Sequence, residues 1–323
     1  MDNAKFKILI TAGDPLGIGP EITVKALKSS AAAGLDLTIL GDTAALKAAG
    51  FKAGHAAFIP IDAKGLNFRK RGPDAAAGLA SFKAVRLALK FIEAGSFNAL
   101  VTAPISKEAW KLADIPHTGH TDLFRALTGR ELLMGFTAGK VRAALVTEHL
   151  AIKRVSSAIT VELIMQKALL FAEVLKEAGV RKPRITLAAL NPHCGDGGLL
   201  GIEEITTLKP AISRLRAGGL DITGPVPADA AWREHLSGLS DGLLCLYHDQ
   251  ALVPLKIIPG AARAAHWTAG LPFIRTSPAH GTAFDIAGKG IASAASMKEA
   301  IKLARQSGSK AARQGSASLT TRH

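Results

Sequence analysis

At 323 residues, 48% of them hydrophobic and 20% charged, the chain is long enough for two core-bearing lobes, since a single core stops growing at roughly 250–300 residues, and its apolar runs break well short of the roughly 18 residues of a membrane span. A formal charge of +14 comes with only 5% aromatics, a single Tyr247 and no interleaving of basic and aromatic residues, which argues against nucleic acid as partner and leaves a lysine-rich surface or an anionic small molecule. Two cysteines, Cys194 and Cys245, lack CxxC spacing and exclude a disulfide framework and a thiolate zinc site.

The N-terminal MDNAKFKILITAG has no apolar signal core, so a cytoplasmic location is the expectation. Six apolar runs then follow in order: KILITA (7–12), DLTILG (36–41), NALVTA (98–103), VRAALVT (141–147), RITLAAL (184–190) and DGLLCLY (241–247). Each is apolar on both faces, the pattern of a parallel-sheet strand covered by helices. Helical spacing fills the intervals, notably LASFKAVRLALKFIEAG from Leu79 and VELIMQKALLFAEVLKEAG from Val161. The second begins after Thr160, has Glu162 in its first turn and stops at Gly179. The class is therefore α/β. From Gly308 the chain becomes small, polar and basic, which predicts a disordered tail over 308–323.

The loops after the strands carry the chemistry. TAGDPLGIGPEI (11–22) is glycine-rich, yet its glycines at 13, 17 and 19 form neither GxGxxG nor a P-loop. HTGHTDLF (117–124) suits a helix start: either a plain cap, or an anion site in which His120 and Thr121 add donors to free backbone N–H groups. Three later strand ends finish at a histidine, VRAALVTEH at His149, ITLAALNPH at His193 and DGLLCLYH at His248. Strand ends of an open parallel sheet face the ligand crevice, and three neutral imidazoles with open positions describe a catalytic divalent-metal site. Any one of them alone is read as bonding loop backbone; three in register favour the ion. Asp196 and Asp249 are placed to orient those rings or to cap helices.

RTSPAHGTAFDIAGKGIA (275–292) resembles the nucleotide-binding loop of the isocitrate and isopropylmalate dehydrogenases. Together with GDPLGIGPEI, TAPISKEA, GHTDLF, NPHCGDGG followed by GIEE, GPVPAD and YHDQALVPLK, it resembles in order the 4-hydroxythreonine-4-phosphate dehydrogenases of pyridoxal phosphate biosynthesis, over about residues 6–305. The resemblance implies a two-lobed isocitrate/isopropylmalate dehydrogenase-like fold, with a mainly parallel sheet, helices on both faces and the active site in the inter-lobe cleft. It divides the chain into a discontinuous nucleotide-binding lobe, 1–135 plus 275–307, and a metal, substrate and dimerisation lobe, 136–274. It also implies a Zn, Mg, Co or Mn ion on His149, His193 and His248, in a site shared across a homodimer interface, and substrate contacts from His120, Thr121, Lys256 and Arg275. NAD falls to His280, Gly281, Thr282 and Asp285, whose carboxylate would repel the extra phosphate of NADP.

The implied reaction oxidises 4-phosphooxy-L-threonine with NAD to 2-amino-3-oxo-4-phosphooxybutanoate, which decarboxylates to 3-amino-2-oxopropyl phosphate. Lys107, Asp249 or a metal-bound water remain open as the proton acceptor. The chain departs from the family pattern at His266, where asparagine is usual and binds substrate, at Ala279, where aspartate is common, and by one extra residue between Lys256 and Pro272. His266 therefore enters the list of substrate-binding residues and opens an alternative substrate, another phosphorylated hydroxy acid such as a four-carbon sugar acid phosphate. The alternative of another class is a phosphate acyltransferase, which shares the broader architecture but needs neither the histidines nor the HGTAFDIAG loop.

Overall fold

Lys7–Thr11 forms β1, flanked in parallel by β2 (Asp36–Gly41) on one side and β4 (Ala99–Thr102) on the other. β3 (Ala57–Pro60) pairs in parallel outside β2. Ile8, Leu9 and Ile10 have no exposed surface, nor do Leu100 and Val101, because helices cover both faces of these strands. The helices of this part of the chain are α1 (Gly19–Leu27), α2 (Thr43–Ala48), α3 (Ala75–Glu93), which lies on β1, β2 and β4, α4 (Lys107–Leu112), which packs on α3, and α5 (His120–Thr128). α3 starts before Leu79 because the Asp74 carboxylate accepts from the amides of Ala76 and Ala77, a side-chain cap that fixes the first turn. The computed structural model describes residues 6–258 and 260–318, with side chains through 307.

The chain divides into two compact units, one comprising the residues to Arg130 with Ala265–Trp267 and the chain from Leu271, the other Glu131–Ala264 with Thr268–Gly270. In the second unit β5 (Leu133–Ala138) pairs antiparallel with β6 (Val141–Leu145). Parallel pairing then runs from β6 to β9 (Gly242–Cys245), from β9 to β7 (Ile185–Ala188) and from β7 to β8 (Ile222–Val226). Its helices are α6 (Val155–Ala158), α7 (Val161–Glu177), α8 (Lys209–Ala217), α9 (Ala228–Leu236) and α10 (His248–Ile257). α7 starts at the expected cap, the Thr160 hydroxyl accepting from the Leu163 amide at 3.1 Å. This unit begins before residue 136 because β5 pairs with β6 and belongs with it.

The chain returns to the first unit through β10 (Ala265–Ala269) and β11 (Ile274–Pro278), the latter parallel to β4. α11 (Ala295–Ser318) packs on β4 and β11, and its Met297, Ala300, Ile301 and Ala304 join Ile8, Ile10 and Val101 in one core. The expectation for the tail falls on 308–323, of which 308–318 carries α11 backbone, where alanine, lysine, arginine and glutamine are good helix formers. Residues 319–323 lie outside the described residues. Among the described residues no helix is long and apolar enough to cross a membrane.

Candidate active site

In the first unit the chemistry gathers on Arg275, near the start of β11 and only 4% exposed. Its Nη2 donates to Thr102 Oγ1 at 2.7 Å and its Nη1 to His266 Nδ1 at 2.8 Å, while the guanidinium carbon stands 5.6 Å from the centre of the Phe124 ring. Burial pushes the guanidinium down to about 9, which leaves it cationic at neutral pH. A guanidinium only donates, so His266 Nδ1 accepts and its ring proton is assigned to Nε2. The Ser277 hydroxyl lies 3.0 Å from the same Nδ1. His266 is buried and its ring faces Arg275.

His120 opens α5 after Gly119, an N-cap without a side-chain hydrogen bond. Its ring stacks on Phe124 with centroids 6.0 Å apart and meets Trp110 edge-on at 5.8 Å. His120 Nε2 is closed off from solvent, with no hydrogen-bond partner among the described residues. Desolvation, reinforced by the charge of Arg275, holds the ring well below the usual histidine range. Thr121 follows in the same first turn, and a Cβ placed on Gly119 would come within 3.5 Å of Lys107 Cε. The structure thus brings Lys107, His120, Thr121, His266 and Arg275 to one region of this unit. This is a cationic and N–H-rich cradle suited to an anion.

The glycine-rich opening loop, which matches no nucleotide fingerprint, braces the segment 282–292. Ile18 donates its amide to the Thr282 carbonyl at 2.9 Å, and a Cβ on Gly17 would press to 3.0 Å from Thr282 Cβ. Glu21 Oε1 accepts from the Ala292 amide at 2.9 Å, and Lys25 Nζ donates to the carbonyls of Gly290 and Ala292 at 2.8 Å. His280, Gly281 and Asp285 are exposed. An exposed carboxylate on a loop braced at both ends fits a nucleotide ribose.

In the second unit His149 and His248 stand with ring centroids 5.2 Å apart, tilted by 40°. His248 Nδ1 lies 2.7 Å from Asp249 Oδ1, the contact that orients an imidazole and leaves Nε2 for a ligand. His193 is not drawn into this pair: among the described residues no three His, Cys, Asp or Glu side chains converge as a metal site. It sits instead in a left-handed turn, with φ of 51° at His193, 56° at Cys194, 78° at Gly195, 43° at Asp196 and 68° at Gly197. For residues with a Cβ this conformation costs roughly 1–2 kcal/mol each, and such strain concentrates at functional sites. His149 and His193 are exposed, as is Lys256 on α10. Imidazoles, one of them in contact with a carboxylate, are the donor chemistry of a borderline divalent ion.

Sequence reasoning passed over Thr102 and Ser277, the neighbours of the Arg275 group, and Lys167. Lys167 is 1% exposed on α7, and its Nζ donates to Glu131 Oε1 at 2.6 Å and to the Leu132 carbonyl, and lies 4.0 Å from Glu148 Oε1, next to His149. A signal existed: Lys167 occupies the stripe of Ile164, Ala168 and Phe171 that α7 buries.

Residues 21–304 match the family described as pyridoxal phosphate biosynthetic protein PdxA. The chain is similar to the 4-hydroxythreonine-4-phosphate dehydrogenase of Caulobacter vibrioides, 38% identical over 92% of this chain and 96% of the relative. It is similar to the D-threonate 4-phosphate dehydrogenase of Salmonella typhimurium to nearly the same degree, 37% identical over 93% and 98%. Among solved structures it resembles the 4-hydroxythreonine-4-phosphate dehydrogenase of Klebsiella pneumoniae, with a TM-score of 0.82, 33% identity and coverage of 95% of this chain and 99% of the other.

Proposed function

The chain belongs to the pyridoxal phosphate biosynthetic protein PdxA family, and from that premise we propose that it is a metal-dependent, NAD-linked dehydrogenase of a phosphorylated hydroxy acid, with 4-phosphooxy-L-threonine as substrate. The observation that carries the reading is the buried Arg275, held between Thr102 and His266 beside His120. A cation kept charged in a dry setting binds an anionic substrate group more strongly than one in water. His120, held neutral, offers a donor without adding charge, and Thr121 and the first amides of α5 add further donors.

His280, Gly281, Thr282 and Asp285 would hold NAD, which would supply the hydride acceptor for oxidation of the substrate alcohol. His149, His193 and His248 would hold a divalent ion, which would supply Lewis-acid stabilisation of negative charge on the substrate oxygen. Asp249 is engaged with His248 Nδ1, so it serves to orient that ring, and Lys107, beside the start of α5, is the better proton acceptor.

The site is assigned to a homodimer in which a second copy completes the histidine set. Supporting this, each of the three histidines is followed by exposed apolar residues: Leu150 and Ile152 after His149, Leu199 and Ile202 after His193, Val253 and Ile257 after His248. Solvent-facing leucine and isoleucine in such numbers mark an interface.

A second substrate is favoured by one observation. His266 contacts Arg275 where an asparagine is usual in the family, and the relatives include a D-threonate 4-phosphate dehydrogenase at 37% identity. That four-carbon acid lacks an amino group, so the two acids place different donors next to the same pocket. The deciding experiment is NADH formation with 4-phosphooxy-L-threonine and with D-threonate 4-phosphate, each with and without added divalent ion. Turnover of neither acid, or turnover indifferent to chelation, would defeat the proposal.

A further inference from the structure

Glu204 is a carboxylate without exposed surface, at the head of a π-turn (Glu204–Leu208) that leads into α8; such turns recur at functional sites. Its Oε1 accepts from the amides of Leu190 at 2.9 Å and Asn191 at 2.7 Å, and its Oε2 from Asn191 Nδ2 at 2.9 Å. Asn191 Nδ2 also donates to Glu203 Oε2 at 2.8 Å, and Glu203 Oε1 accepts from Ser156 Oγ at 2.5 Å. Leu190 and Asn191 are the residues through which the chain runs into Pro192 and His193. Glu204 also closes on the middle of the turn, where a Cβ on Gly195 would come to 2.9 Å from Glu204 Oε2 and 2.6 Å from the Gly201 carbonyl. One carboxylate therefore grips the lead-in and the centre of the left-handed stretch.

Three residues with side chains, His193, Cys194 and Asp196, hold positive φ there. Local preference opposes that conformation, so it persists only where the surroundings over-determine it. The surroundings here are Glu204 and its hydrogen bonds. We propose that Glu204 is the positioning residue for His193, its buried carboxylate enforcing the left-handed turn that presents the imidazole. This rests on reading His193 as a metal ligand. Glutamine is the sharp substitution: its oxygen can keep the two backbone donors, but its NH2 then faces the NH2 of Asn191, two donors with no acceptor between them.

The test is a double-mutant cycle on the full protein with Zn2+ titration as the readout, together with amide exchange of Leu190 and Asn191 in the absence of metal. Glu204→Gln should weaken Zn2+ binding by about 10- to 100-fold, the range for residues that orient ligands, and speed exchange at those two amides while the other strands of the second unit keep theirs. His193→Ala should weaken binding without speeding that exchange, and the double variant should bind no worse than His193→Ala alone, because Glu204 acts through His193. Additive losses would overturn the proposal, as would wild-type exchange and affinity in Glu204→Gln. Wild-type Zn2+ affinity in His193→Ala would instead overturn the ligand reading, and the positioning role with it. If Glu204→Gln fails to fold, Glu204→Asp carries the same cycle: it keeps the charge and withdraws it by one methylene, so an intermediate loss, again absent in the His193→Ala background, is expected.

Discussion

The two units hold their functional side chains in opposite ways. In the first, Arg275 is buried among partners from its own unit, Thr102, His266 and the face of Phe124. In the second, two imidazoles meet near the surface, the third stands apart in a strained turn, and 11 of the 15 exposed large hydrophobics among the described residues belong to this unit. A guanidinium can be satisfied by two neighbours and a ring, so one unit suffices to prepare an anion receptor. An ion needs several ligands converging on a point, and a unit that presents them at its surface beside apolar side chains leaves room for the proposed second copy to complete the set.

The largest effect expected is on the self-sufficient side. Arg275→Met should lower kcat/KM by about 100-fold or more, since more than one hydrogen bond to a charged group is lost. Arg275→Lys should recover little, because an ammonium lacks the fork that reaches Thr102 and His266 together. Zn2+ affinity should be unchanged in both variants; a parallel loss would show that the two preparations are not separate.

The other side of the comparison is broken by complementation. His193→Ala and His248→Ala should each be inactive alone, yet after mixing and refolding should recover about one quarter of wild-type activity, because half the dimers are mixed and each of those assembles one intact site. No recovery, or an active monomer in sedimentation, would place all ligands in one chain.

Two substitutions then sharpen the first unit. His266→Asn should raise kcat/KM for 4-phosphooxy-L-threonine about tenfold if the ring crowds that acid, and lower it for D-threonate 4-phosphate by a similar factor if the ring has been recruited there. Equal values for both acids before and after would remove His266 from substrate choice. Asp285→Ala should cost NAD about tenfold in kcat/KM and narrow the gap to NADP, through the lost ribose contact and the removed repulsion; unchanged values would dismiss the carboxylate from cofactor choice.

The smallest expected effect is on stability, with opposite signs in the two units. His235, in the second, accepts the Arg142 amide on Nε2 at 3.0 Å and meets Ser240 Oγ at 2.9 Å, and burial lowers it to about 4. A depressed histidine contributes stability that is whole above its unfolded pKa of 6.5 and is lost as pH falls from there toward 4. Asp14, in the first, is raised by burial to about 6. Its contribution is whole below the unfolded 3.8 and is lost as pH rises through 6. Between pH 7.5 and 5.5 each group shifts stability by about 1 kcal/mol. Urea midpoints should therefore fall less on acidification in His235→Gln than in wild type, and Asp14→Asn should gain more at pH 7.5 than at pH 5.5; identical slopes in all three proteins would refute both assignments.

Local chemistry sufficed for much of this molecule. Strands apolar on both faces announced β1, β2, β4, β6, β7 and β9 because only a covered sheet hides such runs. Thr160 announced α7 because a helix start leaves amides that a hydroxyl satisfies, and the likeness of whole motifs pointed to His120 and Arg275. The short β3 and β8, and β5, which pairs antiparallel with β6, are not among the six runs singled out from the sequence. What only the tertiary structure decided is which distant residues meet: His266 with Arg275, His149 with His248 and without His193, and Glu204 with the amides of Leu190 and Asn191. Spacing along a strand or helix follows from its repeat, but a contact between residues far apart in the chain depends on how the connections cross. A left-handed backbone at His193, Cys194 and Asp196 runs against each residue's own preference, so only the packed surroundings that impose it could reveal it.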